Sequence, residues 1–251
     1  MSGGSRVALA VGLSAPDIAG VMASSAGYPD NKPRKELTFP VFGTAGTEDF
    51  NYLEMRQMDR DLKTPHHLAI FEGGHMWLSA ELATEAVEWM EIQAMKTGRK
   101  PLDRAEVDSI FAARVAKDED SYAAVKAIAE DFAGLEDVAA YITRAAALAA
   151  DKRVRDGMKQ DRERENTEMR TSQVILGEEA RLADSSQRND ALKQLRQRWK
   201  SLAETANGPT DTPERRMARR VLSGMSMSVT TKDPEYLAII REYRMARPGR
   251  P

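Results

Sequence analysis

From Ser2 to about Gly98, short apolar runs alternate with stretches in which apolar residues recur every three or four positions. The first signature predicts buried strands and the second amphipathic helices. Ser5–Leu13 predicts a short apolar helix, stopped at Ser14-Ala15-Pro16 because the residue before a proline avoids the helical region. Ile18–Ser24, Phe39–Thr44 and His67–Phe71 predict strands, while Phe50–Leu62 and Ala80–Lys96 predict helices. In the last helix Ala83, Val87, Met90 and Ala94 share one face. Short buried strands separated by helices predict parallel β-α units. So small a sheet is expected to leave an apolar edge that a complete fold would pair.

From about Pro101 the strand signature stops and helical stripes follow one another. Asp103 with Glu106 resembles a capping box ahead of Val107, Ile110, Phe111 and Val115. Tyr122, Val125, Ala129 and Phe132 form the next stripe, and Leu135, Val138, Ile142 and Ala146 another after Gly134. Asp151 to about Arg170 is charge-dense and predicts an exposed helix or a mobile connection. Ala191, Leu195, Trp199 and Leu202 predict a further helix. Thr212-Pro213-Glu214 and Asp233-Pro234-Glu235 are strong helix starts: a capping residue, proline in the first turn, then an acid at the positive end of the dipole. Phe111, Phe132, Ile142, Leu195, Trp199 and Leu222 are the expected helical core. The tail Arg247–Pro251 predicts disorder. The fold class expected is α/β, about three parallel strands with helices over residues 1–98, followed by an all-α repeat-like or bundle region over 101–251.

Composition narrows the chemistry. With 41% hydrophobic residues the chain can bury a core, and a net charge of −2 offers no electrostatic case for nucleic acid or an anionic membrane. The absence of cysteine excludes disulfides and thiolate catalysis. No apolar run approaches the ~18–20 residues of a membrane span. No P-loop, GxGxxG, HExxH or EF-hand pattern is present, so neither cofactor nor metal is called for. Arg215, Arg216, Arg219 and Arg220 make a basic helix face, expected to be solvated or salt-bridged. Met217, Met225 and Met227 are expected core fillers.

The candidate chemistry lies in the first region. Ser2-Gly3-Gly4 at the head of a small-residue helix reads as the second half of a G-x-S-x-G turn, which lifts a serine onto a helix N-terminus. Gly3 N–H would be an oxyanion donor there. Asp49 follows a strand and Gly46; His75 follows a strand and Gly73-Gly74. Among the 3 histidines, His66 and His67 stand where a strand begins, the wrong end for a base. Each candidate has a plainer reading: Ser2 as part of a flexible leader, Asp49 as a helix N-cap, His75 as a loop histidine. Glu48 is the local rival to Asp49.

Residues 2 to about 98 resemble the C-terminal portion of an α/β-hydrolase of the esterase or dienelactone-hydrolase type. The resemblance rests on Ser2-Gly3-Gly4, on Ile18–Gly27, on Phe42–Asp49 as the acid-bearing strand and turn, and on Ile70–His75 as the histidine loop, in the chain order Ser, Asp, His. It implies a catalytic Ser2, Asp49 and His75, an oxyanion donor in Gly3 N–H, and a small-molecule ester substrate. The elbow's first glycine, the strand carrying the serine and the loop with the second oxyanion donor have no counterpart. The chain is therefore expected to be a fragment with little activity alone. The alternative is a helical protein-interaction module carrying a non-functional hydrolase remnant. Compartment and oligomeric state stay open.

Overall fold

The computed structural model describes residues 1–117 and 121–244; the tail Arg247–Pro251 lies outside them. The chain divides into two compact units that interleave along the sequence. One comprises Met1–Ala45, Glu54–Phe71 and Met76–Gln160, the other Gly46–Leu53, Glu72–His75 and Asp161–Pro251.

The first unit holds a three-stranded parallel sheet in the order β1 (Val21–Ser24), β2 (Val41–Gly46), β3 (His66–Phe71). Val21 pairs with Val41 and Ser24 with Thr44, so β1 and β2 run in step. The central strand β2 is buried along its whole length, as a strand with neighbours on both sides should be. Helix α1 (Gly3–Ser14) is fastened to β1 by Ser5, whose hydroxyl donates to Ser24 O at 2.7 Å and accepts from Ser24 N at 2.9 Å. A Cβ at Gly12 would stand 2.7 Å from the Phe39 ring, so glycine admits that ring against the helix. Helix α2 (Tyr52–Asp61) buries Met55 and Met58. Arg6 joins α1 to α2 through a two-bond pair with Glu54, 2.8 Å at each nitrogen.

Helix α3 (Ala80–Lys96) is capped by the Ser79 hydroxyl. It packs with α4 (Arg104–Ala116), α5 (Tyr122–Asp131) and α6 (Ala139–Ala150) around Ile92, Val107, Ile110, Ile128 and Phe132. Ile142, expected in this core, is 55% exposed. Val138 of the expected stripe is buried just ahead of α6, but within the helix Tyr141 packs on this core in place of Ile142, and the half-buried Ala145 and Leu148 continue a stripe one residue away from Ile142 and Ala146. In so alanine-rich a helix both stripes are apolar, and the Phe111–Tyr141 ring contact at 6.1 Å selects one.

Helix α7 (Lys152–Arg181) is one continuous helix of 30 residues, where the sequence left open a mobile connection. Straight-chain helix formers and pairs such as Arg164–Asp161 carry the exposed part, and Ile175 anchors the later turns in the second unit's core. There it joins α8 (Arg188–Ala206), α9 (Pro213–Ser228) and α10 (Pro234–Tyr243) around Leu195, Trp199, Leu222 and Tyr236. Thr212 and Asp233 cap α9 and α10 with their side chains. Met217 and Met225 pack on this core, whereas Met227, expected to fill it, is 68% exposed in the last turn of α9. Among the described residues no helix is long and apolar enough to cross a membrane.

Leu195→Ala should cost about 2–5 kcal/mol in denaturant unfolding, because the fully buried site leaves a cavity, while Ile142→Ala should change stability by less than about 0.5 kcal/mol.

A buried polar network crosses the first unit. His67 lies with Nε2 3.6 Å from Glu85 and Nδ1 3.7 Å from Asp131, under the ring of Phe42 at 5.0 Å. Trp89 Nε1 donates to Asp131 at 2.7 Å, and Arg114 pairs with Glu85 at 2.6 Å. Burial pushes the His67 imidazole down to about 4 and the Asp131 carboxyl up to about 6. As pH falls from 6.5 to about 4 the unfolded chain binds a proton at His67 that the folded chain refuses, so stability is lost. Asp131 acts oppositely, since below about pH 6 its folded carboxyl takes a proton ahead of the unfolded chain. Asp131→Asn leaves the histidine loss uncompensated. Its urea midpoint should fall more steeply over this pH range than that of the wild type, and equal slopes would refute the opposition.

Candidate functional site

Two short segments at the C-terminal ends of β2 and β3 in sequence, Gly46–Leu53 and Glu72–His75, belong to the second unit and build the site. Their backbones touch. Glu48 N donates to Gly73 O at 2.8 Å, and a Cβ at Gly46 would stand 2.3 Å from Gly73 O and 2.5 Å from Gly74 O. Only glycine fits at 46. Gly73 has φ 140, a conformation that side chains rarely adopt. Thr47 seals the contact: its hydroxyl accepts from Gly73 N at 3.3 Å and reaches Glu72 Oε2 at 3.2 Å.

This close approach sets Asp49 beside His75. The Asp49 side chain is wholly buried, and its Oδ1 accepts from His75 Nδ1 at 3.0 Å and from Asn51 N at 2.8 Å. A carboxylate can only accept here, so Nδ1 carries the proton and Nε2 the lone pair. The bond to Asn51 N lies ahead of α2, which begins at Tyr52, so it closes a turn and does not cap the helix as the plainer reading of Asp49 expected, while the same oxygen meets the imidazole. Phe50 stacks on the imidazole at 4.3 Å and 29°, holding the ring plane.

Ser2 lies in the first unit. It precedes α1 with φ 52 and ψ −118, makes no side-chain cap bond, and is tied to β1 by Ser2 N donating to Ser24 O at 2.8 Å. Its carbonyl accepts from Ser5 N at 2.9 Å and Arg6 N at 3.2 Å, which turns the chain into the helix. A serine in so sparsely populated a region stores of order 1–3 kcal/mol of strain. Gly3, the first helical residue, has an N–H with no acceptor within the helix.

The other candidates are taken. His66 Nδ1 bonds Thr64 O at 2.7 Å, and His67 is sunk in the network above. Glu48, the rival acid, is gripped through both oxygens by Arg219 Nη1 at 2.8 and 2.9 Å. The arginine face of α9 is salt-bridged. Arg216 pairs with Glu72 at 3.0 Å and with Asp211, while Arg220 is buried against Glu168, donates to Thr47 O, and lies 4.5 Å over the Tyr52 ring. These arginines and Glu168 were not legible as site residues; their i, i+3, i+4 spacing on α9 was the one available signal. Among the described residues no group of three or more His, Asp or Glu side chains is arranged to hold a metal ion. Comparison with protein-family models, curated proteins and solved structures gave no match.

Gly46→Ala should destabilise the second unit by about 1–3 kcal/mol, the usual cost of overpacking. Gly74→Ala, with nothing within 4 Å of the added carbon, should be neutral in the same denaturant titration.

Proposed function

We propose that the chain is a serine hydrolase of ester or related acyl bonds, of α/β-hydrolase type, with Ser2 as nucleophile, His75 as general base, Asp49 as the acid that orients it, and Gly3 N–H as an oxyanion donor. The observation that carries the reading is the 3.0 Å hydrogen bond between His75 and the buried Asp49. The strained turn at Ser2 is a second support.

A serine hydroxyl is a weak nucleophile until a base takes its proton. With Nδ1–H given to Asp49, His75 Nε2 is the lone pair that accepts it. Ser2 Oγ then bonds to the substrate carbonyl carbon, and the carbonyl electron pair moves onto oxygen, where N–H donors stabilise it. Collapse breaks the bond to the alcohol oxygen, which leaves with the proton from Nε2. Water repeats the sequence on the acyl-Ser2 ester: Nε2 takes its proton, the hydroxyl bonds to the acyl carbon, and Ser2 Oγ departs and recovers the proton.

A fluorophosphonate probe tests this directly on the full chain. The expected result is one adduct on the Ser2 peptide, absent in Ser2→Ala and slowed about 10³-fold or more in His75→Ala. Turnover of p-nitrophenyl acetate should be slow, because Gly3 N–H is the one oxyanion donor assigned, and should follow the same order. A folded chain whose Ser2 is never labelled would overturn the hydrolase reading and favour the helical module that binds a protein partner.

A further inference from the structure

We infer that Arg219 and Arg220 of α9, assisted by Arg216, are positioning residues that hold the Asp49–His75 pair together. The inference rests on that pair, which the hydrolase reading uses, but it concerns the pair's geometry and not the reaction.

Residues 216, 219 and 220 lie at i, i+3 and i+4 and so share one face of the helix. Each reaches one of the two segments that carry the pair. Arg219 grips Glu48, the residue before Asp49. Arg220 takes the carbonyl of Thr47 and covers the ring of Tyr52, flanking Asp49 on both sides in sequence. Arg216 meets Glu72, three residues before His75. The arginines are themselves anchored. Arg219 Nε donates to Ala206 O at 3.0 Å, at the end of α8. Arg220 is held by both oxygens of Glu168 on α7, with Nε distances of 2.9 and 3.1 Å. Arg215, one residue before Arg216, pairs with Asp211 and, among the described residues, forms no ion pair with either segment, so it serves as a control.

A guanidinium is suited to this work because it can bond a carboxylate and a second acceptor at once: Arg219 Nη1 meets both oxygens of Glu48 while its Nε is fixed on Ala206 O. Without Arg219 the carboxylate of Glu48, the residue before Asp49, would lose its counter-charge. The contacts also give the helical region a part in the site. It packs the loops that carry the acid and the base.

The test reads the pair itself. In ¹⁵N-histidine-labelled full-length protein, His75 Nδ1–H should appear as a low-field proton protected from solvent exchange, assigned by its loss in Asp49→Asn. Arg219→Gln should speed its exchange about tenfold or more with the global unfolding midpoint little changed, since exchange reports local opening. Arg219→Lys should restore part of the protection and Arg215→Gln should leave it intact. Glu48→Gln removes the same pair from the other side, and serves if Arg219→Gln fails to fold. Protection unchanged in both Arg219→Gln and Glu48→Gln overturns the inference, as does a wild-type protein with no protected proton. Fluorophosphonate labelling of Ser2 is read separately, so a failed inference and a failed hydrolase reading give different results.

Discussion

At Gly46 the backbone of one segment passes so close to the carbonyls of Gly73 and Gly74 that no side chain can stand between them. Everything at the site follows from that approach. With the two segments locked by Glu48 N to Gly73 O, the residue after Glu48 faces the residue after Gly74, and these are Asp49 and His75. A rotation of either segment by one residue would put Glu48 in place of Asp49. Glu48 is instead engaged by Arg219. The close packing and the ion pair thus act together to decide which carboxylate meets the imidazole.

The second unit contains an arrangement whose worth lies more in specificity than in stability. Arg220 and Glu168 are both buried, and burial pushes the Glu168 carboxyl up even with the guanidinium against it. Such a pair contributes little net stability over an apolar replacement, yet losing one partner leaves an uncompensated charge at a cost of about 3–5 kcal/mol. It therefore discourages alternative packings of α9 against the loop at Thr47. The first unit uses its buried charges differently. Around His67 a carboxyl shifted up and an imidazole shifted down sit in one network, so that between about pH 4 and 6 both are neutral and they do not form an ion pair. Two histidines of one chain are thereby given unlike roles by their surroundings, His67 sunk among Phe42 and Trp89, His75 partly open with one nitrogen committed.

Local patterns carried much of the architecture. The strands expected at Ile18–Ser24, Phe39–Thr44 and His67–Phe71 overlap the observed ones to within three residues at each end, and the helix Ala80–Lys96 and the caps at Thr212 and Asp233 were legible too, because strand burial, helical periodicity and capping each act over a few residues. Asp49 and His75 could be chosen for the same reason: each follows a strand, beside glycines. What tertiary structure decided lies beyond that range. Which apolar stripe of α6 turns inward depends on the ring of Phe111, and whether Asp151–Arg170 continues as helix depends on the anchor at Ile175 further along. The bond from Arg219 to Glu48 joins residues 171 apart. Periodicity holds no record of such a distance, so the sequence by itself determined most of the elements and offered Asp49 and His75 as candidates, while packing decided the rest and what holds the two in register.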